Sequence, residues 1–250
     1  MHSQNSFITL TYNNENLPDD YSISKPVLQK FFKRLRKYTG AKLRYFACGE
    51  YGEKNNRPHY HAIIFGYDFP DKQLYTKTAN GDLLFRSPLL EKAWPYGFST
   101  IGEATFESAA YVARYVMKKR KGDDDHKDKH GKTNKEHYQL VDSDSGEIFN
   151  ISPEFCLMSR RPGIGRQWLE TFKTDTDKDF ITVRGKKMSL PKYYDNLLEE
   201  YHQEDMKERK WIRMSKVDKK DNTYERLHVK ETVKIAQTQT LTRGLENNET

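Results

Sequence analysis

The sequence predicts an α+β fold with antiparallel strands flanked by helices. Residues 42–50 and 58–67 are strand-like runs joined by a short polar loop containing Gly52, a spacing that suits an antiparallel hairpin. Residues 25–38 place Val27, Leu28, Phe31, Phe32, Leu35 and Tyr38 on one helical face. Residues 106–121 do the same with Phe106, Ala109, Ala110, Val112, Ala113, Val116 and Met117.

The remaining elements follow in order. Residues 6–12, rich in β-branched and aromatic side chains, read as a first strand. Helix 25–38 should be capped by Ser24, accept Pro26 in its first turn and end at Gly40. The stretch 68–96 is less regular, with a short helix near 89–94, and 97–103 reads as another strand. Residues 120–147 are poor in apolar side chains and mixed in charge, which suggests a mobile surface insertion. A strand near 154–158 precedes Ser159-Arg160-Arg161-Pro162-Gly163-Ile164-Gly165-Arg166 and a helix through Phe172. Residues 180–190 resemble a small hairpin turning at Arg184-Gly185. One long polar helix is expected over 192–216, and the last thirty residues are polar and expected to fray. The predicted organisation is a domain over 1–175, followed by a hairpin and helical extension over 176–250.

Of the 250 residues, 35% are hydrophobic and 32% charged, so the core is modest and the surface polar. The 13% aromatic content argues against general disorder. A net charge of +7 favours polyanionic partners, nucleic acid above all. No run approaches the ~20 apolar residues of a membrane span, and the N-terminus lacks a signal-peptide pattern, so a cytoplasmic location is expected. Cys48 and Cys156 are too few for a disulfide framework and read as reduced thiols.

The sharpest local feature is Arg57-Pro58-His59-Tyr60-His61. On a strand, His59 and His61 project to one face and Tyr60 to the other. If the two runs pair, Glu50 at the end of the preceding strand lies across from His59. Two imidazoles and a carboxylate suit Mg²⁺ or Mn²⁺; Glu53, in the loop, is a rival ligand. In Tyr111-Val112-Ala113-Arg114-Tyr115-Val116-Met117-Lys118, the tyrosines are four apart and share a helical stripe with Lys118.

These residues together resemble the HUH endonucleases, named for a His-hydrophobic-His motif. More narrowly, the chain resembles the replication-initiation proteins of microviruses, the small single-stranded DNA phages, and among them the gokushovirus group. Residues 7–12 match that family's first motif, 46–53 with 57–61 its metal motif, and 111–118 its two-tyrosine motif. Residues 159–165 look typical of the phage group, and the resemblance covers about 6–175. The histidines precede the tyrosines, as in replication initiators rather than conjugative relaxases.

The resemblance implies a sheet flanked by helices, akin to ferredoxin-like and RNA-recognition folds. It implies a site-specific DNA nickase that starts and ends rolling-circle replication through a 5′-phosphotyrosine. Tyr111 and Tyr115 would alternate as nucleophiles, in an order the sequence leaves open. Lys118 would favour phenolate, and His59, His61 and Glu50 would hold the metal. Arg114, Lys119, Arg160, Arg161 and Arg166 are candidate DNA contacts. The basic side of helix 25–38 and residues 184–187 could lengthen that groove. No P-loop pattern occurs, so a host helicase and polymerase are the expected partners. Rival readings are an HUH transposase and a noncatalytic nucleic-acid-binding module.

Overall fold

The chain's computed structural model describes residues 1–52, 56–118, 123–127, 131–142 and 146–239, without the side chains of 115–118, 219, 238 and 239. Glu53, Lys119, the predicted helix end at 119–121 and the tail 240–250 lie outside the described residues.

Alternation in β1 (Asn5–Tyr12) sends Ile8, Leu10 and Tyr12 to one face and Phe7, Thr9 and Thr11 to the other. Helix α1 (Lys25–Thr39) starts where Ser24 accepts from the Val27 N–H and ends at left-handed Gly40, as its sequence predicts. It buries Leu28, Phe31, Phe32 and Leu35, each contributing about 1.5–3 kcal/mol of burial. Strands β2 (Arg44–Tyr51) and β3 (Pro58–Phe65) pair antiparallel, with Glu50 directly opposite His59.

Two strands that the sequence reading did not resolve follow, β4 (Gln73–Lys77) and β5 (Leu83–Arg86). Every residue of β4 is exposed, so it lacks the apolar alternation that marks a strand. Next come α2 (Pro88–Ala93), β6 (Gly97–Glu103) and α3 (Phe106–Lys118). Within 120–147, α4 (Asn134–His137) has a capping box between Thr133 and Glu136, and β7 (Gln139–Val141) pairs with β8 (Ile148–Asn150). That stretch therefore carries local structure despite its polarity.

Strand β9 (Phe155–Met158) completes a seven-stranded antiparallel sheet in the order β4-β5-β6-β1-β3-β2-β9. The α+β prediction therefore holds. One face packs on α1 and α2 around Phe31, Tyr60, Trp94 and Ile101. The other packs on α3 through Phe7, Cys48, Ile63, Tyr111 and Val112. Cover on both faces explains why β3 is buried from Pro58 to Ile64.

The chain divides into two compact units, one spanning His2–Ser159 and the other beginning at Arg160. The second holds α5 (Arg166–Thr171), β10 (Phe180–Val183) paired with β11 (Lys186–Ser189), α6 (Lys192–Tyr201), α7 (Gln203–Ser215) and α8 (Tyr224–Gln239). The predicted hairpin turn is present, with Arg184 and Gly185 at φ 50° and 75°.

The single helix expected over 192–216 is two, broken at His202 with φ −141°. Leu198 and Met206 join Leu169 and Leu190 in one apolar cluster. In a straight helix they would stand about 12 Å apart along the axis, so the break brings both inward. The tail expected to fray is helical through Gln239 among the described residues. Its start is tied by Asp221 to Arg226 and Lys230. No described helix is long and apolar enough to cross a membrane.

Candidate metal centre

The hairpin places three buried, polar side chains on the sheet face beneath α3. Glu50 Oε1 lies 2.7 Å from His61 Nε2 and 3.7 Å from His59 Nε2. One ligand atom from each of the three falls within 4.8 Å of the others. This is the trio predicted from period-two alternation.

Side chains that the sequence reading did not single out hold the trio in place. Thr9, opposite His61 on β1, has its Oγ1 3.0 Å from His61 Nδ1. A hydroxyl can accept from Nδ1–H or donate to Nδ1, so Thr9 suits either tautomer of His61. With Nδ1–H donating to Thr9, the Nε2 lone pair is free to bind a cation. Phe7 stacks on the His61 ring at 5.7 Å and 6°. A Cβ at Gly52 would come within 3.0 Å of His59 Cε1, so only glycine lets that ring lie against the end of β2. The available signal was the same alternation, because residues 7, 9 and 11 share the histidine face.

The donor set fits a divalent cation: three groups of suitable chemistry converge with little water around them. Mixed imidazole and carboxylate donors suit Mn²⁺ better than Mg²⁺, which prefers oxygen. The three side chains could hold such an ion.

Tyr111 reaches the same place from α3. Its ring is 2% exposed and meets the His61 ring edge-on, centroids 5.1 Å apart at 89°. The Tyr115 and Lys118 side chains lie outside the described residues, although both positions are on α3. Arg114 is half-buried on that helix. Arg160, Arg161 and Arg166 belong to the second unit, where Arg160 and Arg161 are exposed and Arg166 is bonded to Glu170 and Tyr201. Cys48 is buried and faces half-buried Cys156 across β2 and β9; burial pushes the Cys156 thiol up to about 11, with Glu50 adding to the effect.

An antiparallel sheet bearing a Glu-His-His cluster under a tyrosine-bearing helix defines an α+β protein with a candidate metal centre. Residues 5–120 match the family model of replication-associated proteins of the ORF2 type. Replication-associated protein VP4 of Bdellovibrio phage phiMH2K is 28% identical over 221 residues, covering 85% of this chain and 62% of that protein. Replication-associated protein ORF2 of Spiroplasma virus 4 is 32% identical over 215 residues, covering 80% and 60%. Replication-associated protein ORF4 of Chlamydia phage 1 is 36% identical over 126 residues, covering 47% and 31%. The chain thus spans less than two thirds of each of these relatives. No solved structure matches it. The chain is a relative of the phage replication-associated proteins, as its motifs suggest.

Proposed function

We propose that this chain is a metal-dependent HUH-type nickase and strand transferase that initiates and terminates rolling-circle replication of a phage genome. The observation that carries this reading is the buried Glu50–His59–His61 trio facing the tyrosine-bearing helix α3. The trio's chemistry favours Mn²⁺ or Mg²⁺.

When bound, the cation would polarise a phosphate oxygen and offset charge developing at phosphorus. A tyrosine phenol titrates near ~10, so attack at neutral pH needs phenolate to be favoured. Lys118, on the tyrosine stripe, supplies a positive charge for that purpose. The phenolate oxygen attacks phosphorus, and the bond from phosphorus to the 3′ oxygen breaks. That oxygen takes a proton and becomes a 3′-hydroxyl, while the 5′ side stays on the tyrosine as a phosphodiester. Rejoining reverses these steps with the bond energy retained.

The burial of Tyr111 against His61 supports Tyr115 as the tyrosine that acts first. Tyr111 would then cleave the regenerated origin after α3 shifts. Arg114, Lys119, Arg160, Arg161 and Arg166 are assigned to phosphate contacts. A host helicase and polymerase would open and extend the duplex in the host cytoplasm. Residues 1–175 would form the nickase domain.

The test is nicking of single-stranded DNA carrying the phage origin, with Mn²⁺ or EDTA. Wild type is compared with Tyr111→Phe, Tyr115→Phe and the double variant. The expected result is a metal-dependent protein–DNA adduct, reduced most by Tyr115→Phe and absent in the double variant. DNA binding without an adduct from wild type would favour a noncatalytic binding module.

A further inference from the structure

On an antiparallel sheet, residues directly opposite one another point to the same face. The register therefore draws one row across four strands: Glu50 on β2, His59 on β3, Thr11 on β1 and Phe98 on β6. The first two are buried members of the trio, and the row ends in a phenylalanine ring 63% exposed. The neighbours of Phe98 on the strand confirm its direction, since Ser99 is buried opposite core residue Leu10.

Helix α3 does not shield this ring, because it packs chiefly on β2, β3 and β9. Exposed Tyr75 on β4 lies beneath the Arg86 guanidinium at 5.4 Å. Phe98, in contrast, has no ring or cation partner among the described residues. Its surroundings on that face are hydroxyls: Thr11 opposite, and Thr100 two residues along, opposite Thr9. A protein partner usually covers a contiguous apolar patch. A lone ring bordered by hydroxyls suits a ligand with one flat apolar face and polar edges, which describes a nucleobase.

We propose that Phe98 is a stacking platform for one base of the single strand, holding the chain at a fixed step from the metal trio. This rests on the proposed nickase reading. Two strand spacings, about 10 Å, separate Phe98 from His59, which places the stacked base beside the scissile phosphate rather than at it. Phe98 is then a positioning residue, and its exposure is the condition of its role.

The test uses the full chain and a fluorescein-labelled single-stranded origin oligonucleotide of about 15 nucleotides. Its bases are replaced one at a time by abasic sites. Phe98→Ala should weaken binding about tenfold and raise KM with kcat little changed, while Phe98→Trp restores both. Wild type should lose affinity at one abasic position in particular, and in Phe98→Ala that position should no longer matter. Thermal melting should be unchanged, since the ring is on the surface. If wild type forms the covalent adduct but Phe98→Ala binds every oligonucleotide as wild type does, the platform is wrong and the nickase stands. If wild type neither binds the strand nor forms an adduct, both readings fall.

Discussion

Two carboxylate clusters in this molecule rest on different electrostatic terms. In the sheet, buried Glu50 faces two imidazoles, which are neutral unless protonated. In the second unit, Asp179 and Asp195 both grip Arg213, a permanent cation, with its Nε 2.7 Å from Asp179 and one Nη 2.7 Å from Asp195. These hydrogen bonds hold the Asp179 carboxyl below its ordinary range and push Arg213 above its own. The Arg213 cluster is balanced from within and partly wet. The sheet cluster buries a carboxylate beside groups that balance it only by gaining a proton or a cation. Burying a charge costs several kcal/mol unless it is compensated. Such a cost persists where a site is built for binding rather than for stability.

Glu50→Gln should break this contrast most sharply. At Mn²⁺ a hundred times its Kd, wild type should gain about 2.7 kcal/mol of stability, and Glu50→Gln none, by calorimetry with and without EDTA. Its nicking should vanish, while the metal-free variant unfolds no more easily than metal-free wild type. An equal metal shift in both proteins would remove Glu50 from the site. Thr9→Val should have the next largest effect, weakening Mn²⁺ affinity about 10–100-fold by isothermal titration through lost control of the His61 ring. Unchanged affinity would leave Thr9 a packing neighbour.

In the second unit, Arg213→Ala should cost about 1–2 kcal/mol in urea unfolding and leave Mn²⁺ affinity alone. The cost falls below that of a fully buried pair because the arginine side chain is 35% exposed. The smallest effect is one of pH. Because the Asp179 carboxyl is depressed in the folded state, its stabilisation is present above its unfolded value of about 3.9 and lost as pH falls through the lower folded value. Urea midpoints of wild type should therefore drop in strong acid more than those of Arg213→Ala. Parallel acid curves would show that the ion pair adds nothing.

Much of this was legible locally. Period-two alternation put His59 and His61 on one face, and the short loop from 51 to 57 put Glu50 opposite them. Ser24, Pro26 and Gly40 marked both ends of α1. Arg184 and Gly185 marked a turn, because two consecutive positive φ values are what such a hairpin needs. Each of these rests on residues a few positions apart, where covalent geometry limits the choices.

The tertiary structure alone decided which distant segments meet. Strand β9 lies beside β2 and sets Cys156 opposite Cys48, a pairing across more than a hundred residues that no local pattern encodes. Thr9 meets His61 because β1 joins β3 on its far side, and Phe98 falls into the metal row because β6 joins β1 in turn. Edge strand β4 is too exposed to carry a burial signal, and the break at His202 serves an apolar cluster drawn from four elements or loops. Alternation and caps are properties of the nearby chain, whereas a strand's neighbour is chosen by the burial and ladder hydrogen bonds of the whole sheet.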